Sequence, residues 1–306
     1  MMGGRRVDGL RSEGRQNRSS ILMGYFNNSF KSVGVFSLFF CLLLIANECI
    51  ARSQLIVAPT RIVFSDKMRS SQVTILNAGD ETETFRISFV NKRMTVDGEF
   101  KEIKEAKIGE LFADKMVRYT PRQVELKPGQ SQVVRLGLRK PANLDHGEYR
   151  SHMLFKAVPK DASRDIESSK SAEGIKIQLT AVIAISIPVI VRHGDTEASV
   201  SIVSASYQER QPKEDYPYIV LDLQRSGNRS VYGDFLAEFV DSDGSRKVIS
   251  QAKGIAFYTP DKERRVRLPL VAPPGLELVN GVIQVFYRGP VDQGGKIMAQ
   301  AQIKIP

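Results

Sequence analysis

The polar residues that could do chemistry form no recognisable catalytic or metal site. The histidines are His146, His152 and His193, and none has a second histidine, a cysteine or a pair of carboxylates at metal-ligand spacing. No nucleophile motif supports a Ser-His-Asp arrangement. The segment from Asp241 to Gly244 resembles a calcium-binding loop, but it lacks the later bidentate glutamate, so we interpret it as a turn. We therefore expect no enzyme, no metal and no other cofactor.

One arginine lies in an unusual place. Arg61 interrupts the apolar segment 58–64 (APTRIVF), which belongs to a predicted first strand over residues 54–64. One interpretation is a surface arginine whose stem covers apolar neighbours. The other is an arginine held in a cleft, where its planar guanidinium can bind a carboxylate through two parallel hydrogen bonds. The residues alone leave both interpretations open.

The most regular hydrophobic pattern is an alternation over residues 175–187. Every second residue is apolar: Ile175, Ile177, Leu179, Ala181, Ile183, Ile185 and Ile187. This period of two predicts a β-strand. The opposite face is polar at Lys176, Gln178 and Thr180 and apolar further on, so we expect the strand to be wet where it begins and buried where it ends.

A predicted polar loop over residues 160–174 precedes this strand, so the apolar face would emerge as an edge. An exposed apolar edge aggregates unless another strand pairs with it. We hypothesise that pairing with another chain is its role. The alternative is that the alternating face belongs to the core of the protein's own sandwich.

The N-terminal segment, residues 1–51, is predicted to be a signal peptide. Basic residues precede the apolar run 33–45, which is shorter than the roughly 20 residues of a membrane-spanning helix and has signal-peptide length. Cys49 and Ala51 supply small residues at positions −3 and −1 of a cleavage site. We expect cleavage after Ala51 and no membrane insertion of the exported chain; an uncleaved anchor is the alternative.

Cleavage would also change the composition of the chain. It would remove both cysteines, Cys41 and Cys49, and with them any disulfide or thiol nucleophile. It would remove six of the 44 basic and three of the 34 acidic residues, which leaves 38 basic residues, 31 acidic residues and a net charge of +7. The basic residues are spread along the chain, which favours a solvated surface or acidic partners over nucleic acid.

The remaining residues, about 255 of 306, predict two all-β domains. Short strand-like segments recur between turn signals such as Pro128-Gly129 and Asp243-Gly244, without a convincing amphipathic helix. This pattern is typical of β-sandwiches. It restarts after His193, so we predict a first domain over 52–193 and a second over 194–306.

Four segments appear in an order and spacing that resemble a known family. They are 58–64 (APTRIVF), 118–136 (RYTPRQVELKPGQSQVVRL), 147–159 (GEYRSHMLFKAVP) and the alternating strand that ends at Arg192. Together they resemble the periplasmic chaperones of the chaperone–usher pilus pathway. The resemblance covers most of residues 54–193, whereas over 197–306 mainly the number and length of strands agree. It implies two immunoglobulin-like β-sandwich domains set at an angle.

The resemblance implies binding instead of catalysis. Such a chaperone lends an edge strand to an incomplete pilus or fimbrial subunit, keeps it soluble in the periplasm and delivers it to an outer-membrane usher. This donor-strand complementation is β-augmentation, in which backbone hydrogen bonds give affinity and alternate side chains fill a groove. By position, the donor side chains would be Ile175, Ile177, Leu179, Ala181 and Ile183.

The resemblance also implies an anchor for the terminal carboxylate of the subunit, made by an arginine of the first strand and a lysine of the donor strand. Arg61 matches the arginine, but Pro188 stands where the lysine is expected. Either Arg61 acts alone or another base takes part, for which Arg150 and Lys176 are candidates. This departure suggests a divergent branch of the family.

Glu148 and Arg192 match a pair that the resemblance implies to be a salt bridge between the domains. Such a pair would set the angle between the domains more than it would add stability.

A second hypothesis makes the chain an exported two-domain adhesin or structural pilus component, in which the alternation serves its own core. A third, an exported hydrolase, lacks a site. A pilus subunit would be expected to have one domain that lacks a strand. Because this chain has two full sets of strands, we favour the chaperone.

Overall fold

The structure is a computed structural model that describes residues 54–65, 67–159, 182–291 and 294–305. These residues contain seventeen β-strands and no α-helix, and they form two β-sandwiches. The predicted all-β fold is confirmed. Within these ranges, no helix is long and apolar enough to span a membrane.

The first sandwich is built from ten strands: β1 Leu55–Ala58, β2 Ile62–Phe64, β3 Ser70–Asn77, β4 Glu83–Met94, β5 Phe100–Ile103, β6 Val117–Thr120, β7 Gln123–Leu126, β8 Ser131–Leu138, β9 Gly147–Ala157 and β10 Ala184–His193. One sheet has the order β1-β3-β8-β6. The other has the order β2-β10-β9-β4-β5, and β7 also pairs with β4. Alternate residues of both sheets point inward and form one core, which includes Phe64, Phe85, Phe155 and Val189.

The predicted first strand is divided between the two sheets. β1 pairs with β3, whereas β2 runs parallel to β10 in the opposite sheet. Three residues, Pro59, Thr60 and Arg61, make the crossing between them. The expectation of one continuous strand over 54–64 is therefore wrong, because a proline cannot donate a ladder hydrogen bond and the chain changes sheets at this point.

The start of β9 carries a hydrogen bond that is typical of immunoglobulin-like sandwiches. Tyr149 is buried, and its hydroxyl donates to the carbonyl of Asp145 at 3.0 Å, four residues upstream. This contact fixes the turn that leads into β9. β9 in turn lies between β10 and β4, so it positions the strand that follows the predicted donor residues in the chain.

The second sandwich is built from seven strands: β11 Ala198–Gln208, β12 Tyr218–Gly227, β13 Val231–Val240, β14 Arg246–Phe257, β15 Glu263–Pro269, β16 Gly281–Arg288 and β17 Ile297–Ile305. The sheets have the orders β11-β12-β15 and β14-β13-β16-β17. Phe235 stacks on Tyr287 in the core, with ring centroids 4.3 Å apart. The strands of the first sandwich end at His193 and those of the second begin at Ala198; the domain limits at 193 and 194 stay a prediction.

The two sandwiches touch through one face of the sheet that contains β10. Met94 and Ile190 project from that sheet into the core of the second sandwich. The turn after β4 also contributes, because the backbone N–H of Arg265 donates to the carbonyl of Val96 at 2.7 Å. All described residues belong to one compact unit. The outer face of this sheet is therefore partly an interface, and residues on it are positioned by both sandwiches.

Replacing Tyr149 with Phe removes the hydroxyl but keeps the ring. We expect the free energy of unfolding to fall by about 1 kcal/mol, the usual net value of one hydrogen bond. Urea unfolding of a chain that begins at residue 52 measures it. The matched control is Tyr216→Phe, at a half-exposed tyrosine, which should change the free energy of unfolding by less than about 0.5 kcal/mol. Equal effects of the two changes would contradict the assigned role of Tyr149.

Candidate functional site

Arg61 lies where the chain crosses between the sheets, just before β2. The next residue, Ile62, is paired with Val189 of β10 and points into the first core. Because side chains alternate along a strand, the side chain of Arg61 is on the outer face. There its guanidinium carbon lies 4.4 Å from the ring centroid of Tyr232, at the start of β13. The arginine therefore connects the edge of the first sandwich to the second.

The guanidinium of Arg61 is buried without a full set of partners. Its Nε and Nη1 atoms are inaccessible to solvent and have no hydrogen-bond partner among the described residues. Burial lowers the pKa of Arg61 below its usual value, although Tyr258 and Glu148 act in the opposite direction. An arginine keeps its charge at neutral pH. Unused donors on a desolvated cation make this a site that favours an anion.

A cleft of about 1760 Å³ opens beside Arg61, between β2 and the second sandwich. Its apolar lining includes Val63 and Val200. Its basic lining residues are Arg61, Arg192, Arg229, Lys253 and Lys296, and its acidic lining residue is Asp234. The cleft therefore combines apolar surface with an excess of positive charge.

Arg192 of the predicted pair Glu148 and Arg192 lines this cleft. Arg192 Nε is 3.0 Å from Glu148 Oε2, and the carboxylate of Glu148 is fully buried. Glu148 Oε1 also accepts a hydrogen bond from the backbone N–H of Ser230 at 3.3 Å, in the second sandwich. One buried carboxylate thus joins β10, β9 and the loop before β13. The charge of Arg192 is largely neutralised, whereas that of Arg61 is not.

Among the described residues, the first half of β10 has a strand on one side only. Residues 184–188 pair with β9, and pairing with β2 begins at Val189. No other strand in the described parts of the chain pairs with 184–188. Pro188 lies at the boundary, immediately before the paired residues, where its missing N–H interrupts least. This open edge ends beside Arg61.

Of the five predicted donor residues, Ile183 lies in the described part of the chain. Its side chain packs, partly buried, against the first core, and its carbonyl accepts a hydrogen bond from the N–H of Ala157 at 2.9 Å. Ile183 therefore extends the inner face of β10 in this structure. Ile175, Ile177, Leu179 and Ala181, together with the candidate base Lys176, lie outside the described residues. The donor role of all five stays a prediction.

Arg150, the other candidate base, is enclosed between the sandwiches. Its guanidinium carbon lies 4.1 Å from the ring centroid of Tyr258, and Nη2 donates to the carbonyl of Lys92 at 3.3 Å. Arg150 is not among the residues that line the cleft. Its burial lowers its pKa, but its position favours packing over ligand binding.

Sequence reasoning missed the residues that the second sandwich brings to the cleft. These residues are Tyr232, Asp234, Lys253 and Lys296. No local sequence motif marks them, and they lie far from Arg61 along the chain. Within the described ranges, no group of three or more His, Cys, Asp or Glu residues could hold a metal ion.

Comparisons with known proteins give distant structural matches alone. No family model matches the chain, and no curated protein matches it. Among solved structures, the CupB2 chaperone of Pseudomonas aeruginosa is 10% identical with a TM-score of 0.41, covering 82% of this chain and 100% of that one. The CsuC–CsuE chaperone–tip adhesion subunit pre-assembly complex of Acinetobacter baumannii is 11% identical with a TM-score of 0.40, covering 83% of this chain and 98% of that one.

A third match is the complex of the Salmonella enterica SafA pilin with the SafB chaperone. It is 13% identical with a TM-score of 0.37, covering 83% of this chain and 97% of that one. All of these identities and TM-scores are low, so they establish neither a family nor a function for this chain.

Lowering the pH should destabilise the fold through the buried His152. Burial, followed by the charges of Arg150 and Lys92, lowers the pKa of His152 to about 3, against roughly 6.5 in an unfolded chain. Below pH 6.5 unfolding therefore takes up a proton. The stability that comes from the neutral histidine is lost as the pH falls from 6.5 towards 3, by at most about 1.4 kcal/mol per pH unit.

Urea unfolding between pH 5 and 6.5, above the range where most carboxylates titrate, measures this slope. Replacing His152 with Phe should flatten it, whereas replacing the exposed His146 with Gln should leave the part due to His152 in place. A slope that survives in the His152→Phe variant would assign the proton uptake to another group.

Proposed function

We propose that this protein is a periplasmic chaperone that captures incomplete fimbrial subunits by lending them the edge of β10, and that it hands them to an outer-membrane usher. The observation that carries the proposal is the open edge of residues 184–188, which ends at the buried, partly unsatisfied guanidinium of Arg61. The usher and the periplasmic location rest on the family resemblance of the sequence and on the predicted signal peptide.

An open edge presents unpaired backbone N–H and C=O groups, which a second strand can satisfy. Residues 184–188 use one side for β9 and leave the other side free among the described strands. A guest strand added there would extend the sheet of the first sandwich by β-augmentation. Its backbone hydrogen bonds would not depend on its side chains, which suits a chaperone that serves several subunits.

The direction of the guest strand follows from its position relative to β2. β2 runs parallel to β10 and begins at Ile62, opposite Val189. A guest on residues 184–188 lies in line with β2, before its first residue. If the guest runs parallel to β10, its carboxyl terminus reaches Arg61; if it runs antiparallel, its terminal ammonium would meet the same cation. Attraction in the first case and repulsion in the second select a parallel guest that is anchored by its C-terminal carboxylate.

The apolar alternation supplies the hydrophobic surface that a guest subunit would bury. Ile183, Ile185 and Ile187 all pack against the first core. If the period of two continues, Ile175, Ile177, Leu179 and Ala181 would belong to the same face, and they would cover the open groove of an incomplete subunit. Burying one isoleucine or leucine contributes about 1.5–3 kcal/mol before the costs of association.

Replacing both Ile177 and Leu179 with Asp should abolish subunit capture, because charged groups cannot be buried in an apolar groove without a large desolvation cost. The fold should remain, since both residues precede β10, which begins at Ala184. Co-purification with a co-expressed fimbrial subunit of the source organism measures capture.

The matched control for this change is Gln178→Asp together with Thr180→Asp. It adds the same two acidic groups to the same segment, on the opposite face. The control should still capture the subunit. Normal capture by the Ile177→Asp, Leu179→Asp variant would refute the donor-strand proposal.

Replacing Arg61 with Ala should weaken subunit binding by about tenfold to a hundredfold, the usual range for a charge-assisted hydrogen bond to a buried group. Titration of the purified chaperone with a refolding subunit measures the affinity. Arg118→Ala, at an exposed arginine of β6, serves as the control and should bind normally. An affinity of the Arg61→Ala variant equal to that of the control would show that the carboxylate is held elsewhere.

A further inference from the structure

The wall that the second sandwich contributes to the cleft carries unpaired positive charge. Lys253 of β14 and Lys296, immediately before β17, line the cleft, and both are exposed. Neither side chain forms a hydrogen bond or ion pair within the described parts of the chain. Opposite them, Arg61 contributes a third positive charge. The cleft therefore carries more positive charge than one terminal carboxylate would neutralise.

A β-bulge brings Lys253 to this wall. β13 and β14 pair Gly233 with Ile255 and Phe235 with Ala252, so Asp234 faces two residues, Lys253 and Gly254, in place of one. Gly254 has a positive φ of 71°, which favours glycine, and its N–H donates to Asp234 Oδ1 at 2.9 Å. A bulge of this kind redirects the side chain beside it.

Asp234 is the acidic residue of the cleft lining, and its carboxylate is used by the bulge. Because Oδ1 accepts the N–H of Gly254, Asp234 holds the backbone that carries Lys253. It forms no ion pair with Lys253. The charge of the lysine is therefore available to a ligand in the cleft.

Tyr232 places the bulge close to Arg61. One face of its ring lies 4.4 Å from the guanidinium carbon of Arg61. Its hydroxyl lies 3.1 Å from the point that a Cβ atom on Gly254 would occupy. The width of one tyrosine side chain thus separates the anchor from the residue next to Lys253. At about 3.3 Å per residue in a strand, this distance corresponds to a few residues of an extended chain.

We propose that the second sandwich binds acidic side chains near the carboxyl end of the guest through Lys253 and Lys296. This inference rests on the proposed function, in which Arg61 holds the terminal carboxylate. The ligand is an extended polypeptide whose last few residues include Asp or Glu. The apolar neighbours of the two lysines in the cleft, Ile297 and Met298, suit the side chains of such a strand better than a phosphate backbone.

The test uses the full exported chain and synthetic ten-residue peptides of alternating valine and threonine. The peptides end in a free carboxylate or in an amide, and they carry either two glutamates or two glutamines at the second and third positions from the end. Two consecutive positions are used because successive side chains point to opposite faces of a strand, so one of them faces the wall. Isothermal titration measures the affinities at low and high salt.

We expect the chain to bind the glutamate peptide about threefold to tenfold more tightly than the glutamine peptide, and we expect high salt to shrink this preference. The double variant Lys253→Gln, Lys296→Gln should lose the preference for glutamate and keep the preference for a free carboxylate over an amide. The control variant Lys247→Gln, Lys304→Gln removes two exposed lysines of the same sandwich that do not line the cleft, and it should keep both preferences.

The outcomes separate the two proposals. A preference for the free carboxylate without a preference for glutamate would overturn the role of Lys253 and Lys296 and leave the anchor at Arg61 intact. Equal binding of carboxylate and amide peptides, or no peptide binding, would overturn the proposed anchor and this inference with it. A glutamate preference that survives in the Lys253→Gln, Lys296→Gln variant would place the acidic side chains elsewhere.

Discussion

The structure depends on the crossing of the first strand from one sheet to the other. Because β1 pairs with β3 and β2 pairs with β10 only from Val189 onward, no described strand covers one side of the preceding residues of β10. The same crossing puts Arg61 at the end of that free side. The open edge of β10 and the arginine at its end thus both follow from the crossing of the chain between the two sheets. Had the first strand continued along β10, neither the edge nor the cleft arginine would exist.

Several buried arginines lie at the interface between the sandwiches. Arg61, Arg150 and Arg264 all have buried nitrogen atoms without a hydrogen-bond partner among the described residues, and burial lowers the pKa of each. Burying a cation costs free energy unless a partner compensates. Aromatic rings compensate in part, because Arg61 stacks on Tyr232 and Arg150 on Tyr258.

Arg150 and Arg61 share this environment but differ in access. The guanidinium of Arg150 is closed in by Tyr258 and the backbone of Lys92, whereas that of Arg61 borders the cleft. The cost of desolvating Arg61 is thus already met in the free protein, so an incoming carboxylate would gain the attraction without that cost. Glu148, held by Arg192 and Ser230, connects the first sandwich to the loop before β13.

Local sequence pattern was enough to predict the all-β fold, from the turn residues and the short apolar segments between them. It was also enough to predict a strand from the period of two over 175–187, and to single out Arg61 as a candidate binding residue because it is a charge among apolar neighbours. Pro188 could likewise be recognised as a departure from the resembling family. The division of segment 54–64 between two sheets could not, since local pattern describes a strand and says nothing about its partner. Tertiary structure alone decided that Arg61 stacks on Tyr232, that Arg150 is enclosed, and that a bulge carries Lys253 to the same cleft. These contacts join residues far apart in the chain, and the pairing of whole sheets sets them.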